Sequence, residues 1–249
     1  MKLLVFFLVA LIAATSVYVL ASQGPDLDDA LKSTVVVLCN TNSYGTGWWL
    51  NKSVVITAYH VVDGCSNIRV VRGDYISQAM VIASNQTLDI AALRVVSEPP
   101  WDAGLKLASS VAVGDSVYAV GYPIQLYTEL EGNVAEMSIA PRVSPGEVVW
   151  INPVRSTAEI SAKTDKGNSG GPVVNEDGDL VGVIVYARPG AVDNSIYMLT
   201  VDGVAGFLDQ YNLEYETASL TDSRLFRLAL VGIFAPLAGI LYLRGGRRG

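Results

Sequence analysis

Apolar residues along the chain fall into two patterns. Residues 3–21 and roughly 225–243 are long, almost uninterrupted hydrophobic runs. Between them the apolar stretches are of strand length and recur at close spacing. A first series comprises Thr34–Cys39, Gly47–Leu50, Val54–Thr57, Ile68–Arg72, Ala79–Ala83 and Ile90–Val96. A second comprises Ser116–Val120, Val134–Ile139, Glu147–Ile151, Ala158–Ala162, Pro172–Val174, Leu180–Ala187 and Ile196–Thr200. Turn residues such as Asn42-Ser43-Tyr44-Gly45 and Glu176-Asp177-Gly178-Asp179 separate most of them. Many short strands without long intervening helices predict an all-β sandwich or barrel. The segment Ser97–Gly104 contains Pro99 and Pro100, which cannot donate to a strand ladder, so it divides the series in two.

Two short helices are predicted at the borders of this region. Asp26–Lys32 suits a single turn before the first strand. Asp202–Tyr211 places Val204, Phe207, Leu208 and Tyr211 on one helical stripe, as expected of a helix closing over a core.

The terminal runs read as membrane segments. The first, 1–21, begins Met-Lys and ends Val19-Leu20-Ala21, which fits both a cleaved secretory signal and a retained anchor. The second is preceded by Arg224 and followed by the basic tail 244–249, which the positive-inside rule keeps cytoplasmic. A buried core helix is the other reading of that run. As a membrane span it leaves residues 22–223 outside the cytoplasm, tethered to lipid, with 212–223 as linker. That middle region holds all 24 Asp and Glu but 11 of the 17 Lys and Arg, a net charge of −13. Such acidity argues against nucleic acid as a partner.

There are two cysteines, Cys39 and Cys65. In an exported domain an even pair reads as a candidate disulfide, here flanking the only histidine; closing such a loop stabilises a fold by about 3 kcal/mol. No Cys/His cluster suggests a metal. Asn51-Lys52-Ser53 and Asn85-Gln86-Thr87 match a glycosylation sequon, a pattern common by chance.

Three segments carry candidate chemistry. His60, the single histidine, ends an apolar run in Val55-Ile56-Thr57-Ala58-Tyr59-His60-Val61-Val62, so any imidazole chemistry runs through it. In Lys166-Gly167-Asn168-Ser169-Gly170-Gly171-Pro172, glycines on both sides of Ser169 permit a tight turn that aims successive N–H groups into one concavity. In Leu88-Asp89-Ile90-Ala91-Ala92-Leu93, one carboxylate opens an apolar strand, where burial requires a partner such as an imidazole N–H. Asp63 and Asp102 are rival carboxylates without that setting.

The order His60, Asp89, Ser169, in TAYHVV, LDIAAL and GNSGGP, resembles the trypsin-like (chymotrypsin-fold) serine peptidases, and within them the HtrA/Deg branch. Gly45-Thr46-Gly47-Trp48-Trp49-Leu50 is similar to the strand that precedes the histidine in that branch. The resemblance covers about residues 25–211. It implies two six-stranded β-barrels, about 33–97 and 105–200, closed by the helix 202–211. It further implies a catalytic triad of His60, Asp89 and Ser169, with backbone N–H groups of Gly167 and Ser169 as oxyanion hole. Lys163, Thr164, Val185, Tyr186 and Ala187 become candidates for the substrate pocket, with Lys163 either selecting an acidic side chain or simply solvated. Polypeptides are the implied substrates, and no cofactor or metal is required. HtrA proteins usually carry a PDZ module after the protease, so properties that depend on one do not carry over. The competing reading is a catalytically silent module that binds polypeptide.

Overall fold

In the computed structural model, the described residues are 24–40, 43–130, 132–187, 196–219 and 221. The sequence-predicted segments 1–21 and 225–243 and the tail 244–249 lie outside them. Among the described residues no helix is long and apolar enough to cross a membrane. Residues Asp26–Thr217 form one compact unit.

Twelve strands in that unit close into two antiparallel barrels. The first contains β1 (Thr34–Cys39), β2 (Ser43–Asn51), β3 (Val54–Thr57), β4 (Ile68–Arg72), β5 (Tyr75–Asn85) and β6 (Ile90–Val95). They run in the order β1-β2-β3-β6-β5-β4, and β4 returns to pair with β1. The second contains β7 (Ser116–Gly121), β8 (Arg142–Asn152), β9 (Thr157–Ile160), β10 (Pro172–Val174), β11 (Leu180–Ala187) and β12 (Ile196–Thr200). Their order is β10-β11-β12-β9-β8-β7, closed by pairing of β10 with β7. The expectation of a double six-stranded, chymotrypsin-like barrel is met.

Continuous apolar runs, rather than alternating ones, have a physical cause here. Strand β3 is buried along its whole length. Val55, with Trp49 of β2, points into barrel one against Val35, Val37, Val70 and Leu93. Val54 and Ile56, with Trp48 and Leu50, belong to a second cluster that also holds Val120, Val174, Leu180, Val183 and Leu199 of barrel two. A strand apolar on both faces is what packing barrel against barrel demands. The interior of barrel two is a further cluster built on Val117, Ala119, Ile160, Val173, Val181, Ile184 and Met198.

Five helices complete the described unit. α1 (Asp28–Ser33) carries Asp28 and Asp29 in its first turn and Lys32 in its last, matching the helix dipole. α2 (Tyr59–Val62) follows β3 directly, and α3 (Ile124–Glu129) and α4 (Val134–Met137) lie between β7 and β8. α5 (Val201–Gln210) buries Val204, Phe207 and Leu208 in the inter-barrel cluster, as its stripe predicts, but it starts and ends one residue earlier than the sequence suggests and leaves Tyr211 exposed at its C-cap.

One predicted element is corrected. Val134–Ile139 was expected as a strand, but Val134–Met137 is the helical turn α4. Its composition fits a strand, yet the Asn133 side chain accepts the Glu136 N–H (3.2 Å) and caps a helix start. The strand of this region begins later, at Arg142. The helix α3 is not anticipated by any apolar period.

Cys39, the last residue of β1, is joined to Cys65, with Cα atoms 5.4 Å apart and 26 residues of separation. The bridge ties the chain just beyond α2 to barrel one. Reduction, or a Cys39→Ser/Cys65→Ser double substitution, is expected to lower unfolding free energy by about 3 kcal/mol by freeing that loop in the unfolded chain. Denaturant melts of the protein with and without reductant measure it, and coincident curves would contradict this.

Candidate active site

His60 sits on α2, the single turn that follows β3, rather than on the strand itself. Ala58 is fully buried and Val61 and Val62 are 5% exposed, so three apolar neighbours anchor the turn and His60 is left facing out. Asp89 comes from the turn between β5 and β6. Asn85 Oδ1 accepts the Leu88 N–H (3.1 Å), the Asp89 N–H reaches Gln86 O (3.3 Å), and Asp89 adopts φ +54°. That left-handed conformation is tolerated by Asp better than by most residues. Since Thr57 pairs with Ala91, the end of β3 and the start of β6 lie side by side, and the next residues out are α2 and Asp89.

The carboxylate binds His60 at two points. Asp89 Oδ1 accepts the His60 backbone N–H (2.9 Å), and Oδ2 lies 2.7 Å from Nδ1. The Asp89 side chain is 16% exposed against 45% for His60, so the acid sits behind the ring. A carboxylate at that nitrogen holds the proton on Nδ1 and leaves Nε2 free to accept another. The rival carboxylates are engaged elsewhere. Asp63 accepts from the Tyr59 hydroxyl (2.8 Å), which holds that phenol above its usual range. Asp102 is bonded to Lys52 (2.8 Å), which holds its carboxyl below the usual range.

Ser169 lies in the loop before β10, partly exposed. Barrel one grips this loop through the Thr46 N–H, which donates to Ser169 O (2.9 Å). Gly170 has φ +83°, and a Cβ there would collide with Thr57 Oγ1 and lie 2.6 Å from the Ala58 nitrogen. The Ser169 loop is therefore in contact with the residues immediately ahead of His60. From barrel two, Ile184 accepts the Gly170 N–H (2.7 Å) and donates to Gly171 O (2.9 Å). Among the described residues the Ser169 hydroxyl has no hydrogen-bond partner, and the His60 ring is bonded to Asp89.

The backbone ahead of Ser169 has a set direction. Lys166 O accepts the Ile124 N–H from the start of α3 (2.7 Å). In a trans peptide the C=O and N–H point opposite ways, so the Gly167 N–H is turned away from α3. Among the described residues neither the Gly167 nor the Ser169 N–H has a protein acceptor. Gly167 itself has φ +95°, and a Cβ on it would run into Tyr122 O and lie 3.0 Å from the Tyr44 hydroxyl. Tyr44 packs on Tyr127 of α3, with ring centroids 5.6 Å apart. Burial, then Tyr127 and Asp165, push the Tyr44 phenol up to about 12, so it stays neutral beside this concavity. Asp165 is itself hydrogen-bonded by Gln125 of α3.

The remaining sequence-predicted residues are spread around this centre. Lys163 is exposed and Thr164 half-buried in the segment between β9 and Ser169. Val185 is 5% exposed and packed in the inter-barrel cluster. Tyr186 and Ala187 continue β11, where Ala187 pairs with Ile196. Sequence reasoning passed over Thr46, Tyr44 and Tyr122. Gly45-Thr46-Gly47 was visible as a motif, but nothing in it tells which atoms its threonine would reach.

Residues 45–183 match the trypsin-like peptidase domain family. Protease Do-like 1, chloroplastic, of Arabidopsis thaliana is 29% identical over 186 residues, 71% of this chain and 41% of that protein. Serine protease Rv3671c of Mycobacterium tuberculosis is 32% identical over 176 residues, 68% of this chain and 42% of that protein. The chain thus spans about two fifths of the length of these relatives. The crystal structure of the Rv3671c protease in its inactive form superposes with a TM-score of 0.59 at 25% identity, covering 76% of this chain and 98% of that one.

Gly167→Ala is expected to destabilise the fold by at least about 1 kcal/mol, because the backbone is left-handed and the added methyl meets main chain. Chemical denaturation of the variant beside the parent protein checks this; equal midpoints would show that the loop yields freely.

Proposed function

The chain belongs to the trypsin-like peptidase family, and on that premise we propose that it is a serine endopeptidase acting through Ser169, His60 and Asp89. The observation that carries the reading is the two-point bond of Asp89 to the chain's only imidazole, beside a Ser169 loop packed onto Thr57 and Ala58. His60 Nε2 takes the Ser169 hydroxyl proton as the oxygen attacks the scissile carbonyl carbon. The carbonyl oxygen gains the negative charge and is received by the Gly167 and Ser169 N–H groups. As the C–N bond breaks, the imidazolium returns the proton to the leaving amine and an acyl-enzyme remains. Water, deprotonated by the same imidazole, then releases the acid and restores the hydroxyl. Asp89 holds the ring in place and stabilises the imidazolium.

Extended polypeptides are the substrates in this reading, with Lys163, Thr164 and the Val185–Ala187 stretch as walls of the primary pocket. The domain works outside the cytoplasm, tethered by the apolar segments that lie beyond the described residues. Three features support that placement: the Cys39–Cys65 bridge, which persists in oxidising compartments, the Met-Lys start of the first run, and the basic 244–249 tail.

Labelling of the full chain by a fluorophosphonate, abolished in Ser169→Ala, is the direct test; equal labelling of both proteins, or of neither, would sink the proposal. A peptide-library digest with the same pair reads out the pocket preference. Asp89→Asn presents an amide to Nδ1 and favours the tautomer with its proton on Nε2. It should therefore reduce kcat by about 10⁴-fold with the fold retained. A loss under tenfold in steady-state assays would remove Asp89 from the mechanism.

A further inference from the structure

We propose that Thr46 is a positioning residue that sets the geometry of the oxyanion hole through its hydroxyl; the inference rests on the peptidase reading above. Thr46 lies in β2 of barrel one and is fully buried. Its hydroxyl donates to Gly167 O (2.7 Å) and accepts the Tyr122 N–H (3.0 Å). Its own N–H donates to Ser169 O (2.9 Å), and its carbonyl accepts the Thr57 hydroxyl (2.7 Å). A single side chain thus joins barrel one to the chain just after β7 and to the loop bearing the nucleophile.

The peptide between Gly167 and Asn168 lies between the two N–H groups that face the oxyanion. Gly167 has no side chain, so hydrogen bonds and packing alone resist rotation about its backbone. The preceding carbonyl, Lys166 O, is held by the Ile124 N–H (2.7 Å). The following carbonyl, Gly167 O, is held by the Thr46 hydroxyl (2.7 Å). With both fixed, the Gly167 and Ser169 N–H groups keep a constant angle to one another. With that carbonyl freed, the intervening peptide keeps one bond, from the Asn168 N–H to Asp165 O (3.1 Å), and pivots about it, so the two donors no longer converge.

The site leaves little room for a substitute. A Cβ on Gly121 would lie 3.1 Å from Thr46 Oγ1, and one on Gly171 would lie 3.1 Å from Thr46 Cγ2. In Thr46→Val a methyl replaces the hydroxyl, and carbon needs roughly 3.3 Å or more from a carbonyl oxygen. The variant therefore pushes Gly167 O away and leaves it and the Tyr122 N–H without their bond.

The test compares Thr46→Val and Thr46→Ser in the full chain, with Thr34→Val as a control. The Thr34 hydroxyl is also buried, but it donates to Ala30 O (2.6 Å), away from the loop. Removing one oxyanion donor costs about 10²–10³ in kcat, so a misaimed pair should cost Thr46→Val about 10–100-fold in kcat. KM should stay within about threefold, and affinity for a peptide aldehyde, whose adduct places an oxyanion in the same hole, should fall with kcat. Thr46→Ser should stay within about threefold of the parent in both constants. Thr34→Val should lower the melting temperature and not kcat.

An unchanged kcat in Thr46→Val overturns the inference, as does an equal kcat loss in Thr34→Val. Should Thr46→Val fail to fold, Thr46→Ser decides alone: near-parental kcat upholds the hydroxyl's role and a tenfold loss refutes it. A parent protein that neither hydrolyses peptides nor takes up the fluorophosphonate would instead sink the peptidase reading itself.

Discussion

The structure depends on how closely the loop around Ser169 approaches barrel one. Gly170 lies against Thr46 O, Thr57 Oγ1 and the Ala58 nitrogen, with no space for even a methyl group. Around that contact the Thr46 N–H and hydroxyl hold Ser169 O and Gly167 O. The apolar cluster shared by the two barrels holds them together, but hydrophobic burial is non-directional and does not by itself set their register. Directional hydrogen bonds and a glycine-sized gap define the register between them, and His60 and Ser169 come from opposite sides of it.

Tyr122 makes a second bridge of the same kind. Its ring is fully buried just after β7, and its hydroxyl lies 3.1 Å from Thr34 O and 2.9 Å from Ser138 O. Arg72 Nη1 donates both to that hydroxyl (3.4 Å) and to Thr34 O (2.9 Å). Burial pushes the Tyr122 phenol far above its usual range, so it remains a neutral hydrogen-bond donor. Groups left unpaired here would each cost a desolvation penalty, which makes the bridge specific as well as cohesive. The α3–α4 insert takes part through Ser138 and, at the site, through Ile124, Gln125 and Tyr127.

On the histidine side the devices are local. Two buried valines and a buried alanine anchor the turn of His60, and the Cys39–Cys65 bridge fastens the chain beyond it to β1. A two-point carboxylate then fixes the ring's orientation and tautomer. Each device removes one freedom: where the turn sits, how far it can swing, and which nitrogen carries the proton.

Much of this was legible in the amino-acid order. Strands β1, β3, β4, β10, β11 and β12 were placed at their observed bounds, because short apolar runs between turn residues have few other uses. Val134–Ile139 was misread because its composition fits a strand, while the capping bond from Asn133 that makes it a helical turn depends on local geometry. The unit α3 carries no buried residue and so left no apolar period to read.

For the proposed site, the sequence by itself singled out the candidates: one imidazole, a serine among glycines, and an aspartate opening an apolar strand. Those identities are legible because each chemistry requires a particular residue type in a particular local setting. Tertiary structure alone decided the partners across distance, such as Thr46 for Gly167, 121 residues apart, and Ile124 for Lys166. Local pattern does not encode which hydroxyl or N–H will face a distant carbonyl. That follows from closing two barrels and packing them, since only then do the strand ends acquire positions relative to one another.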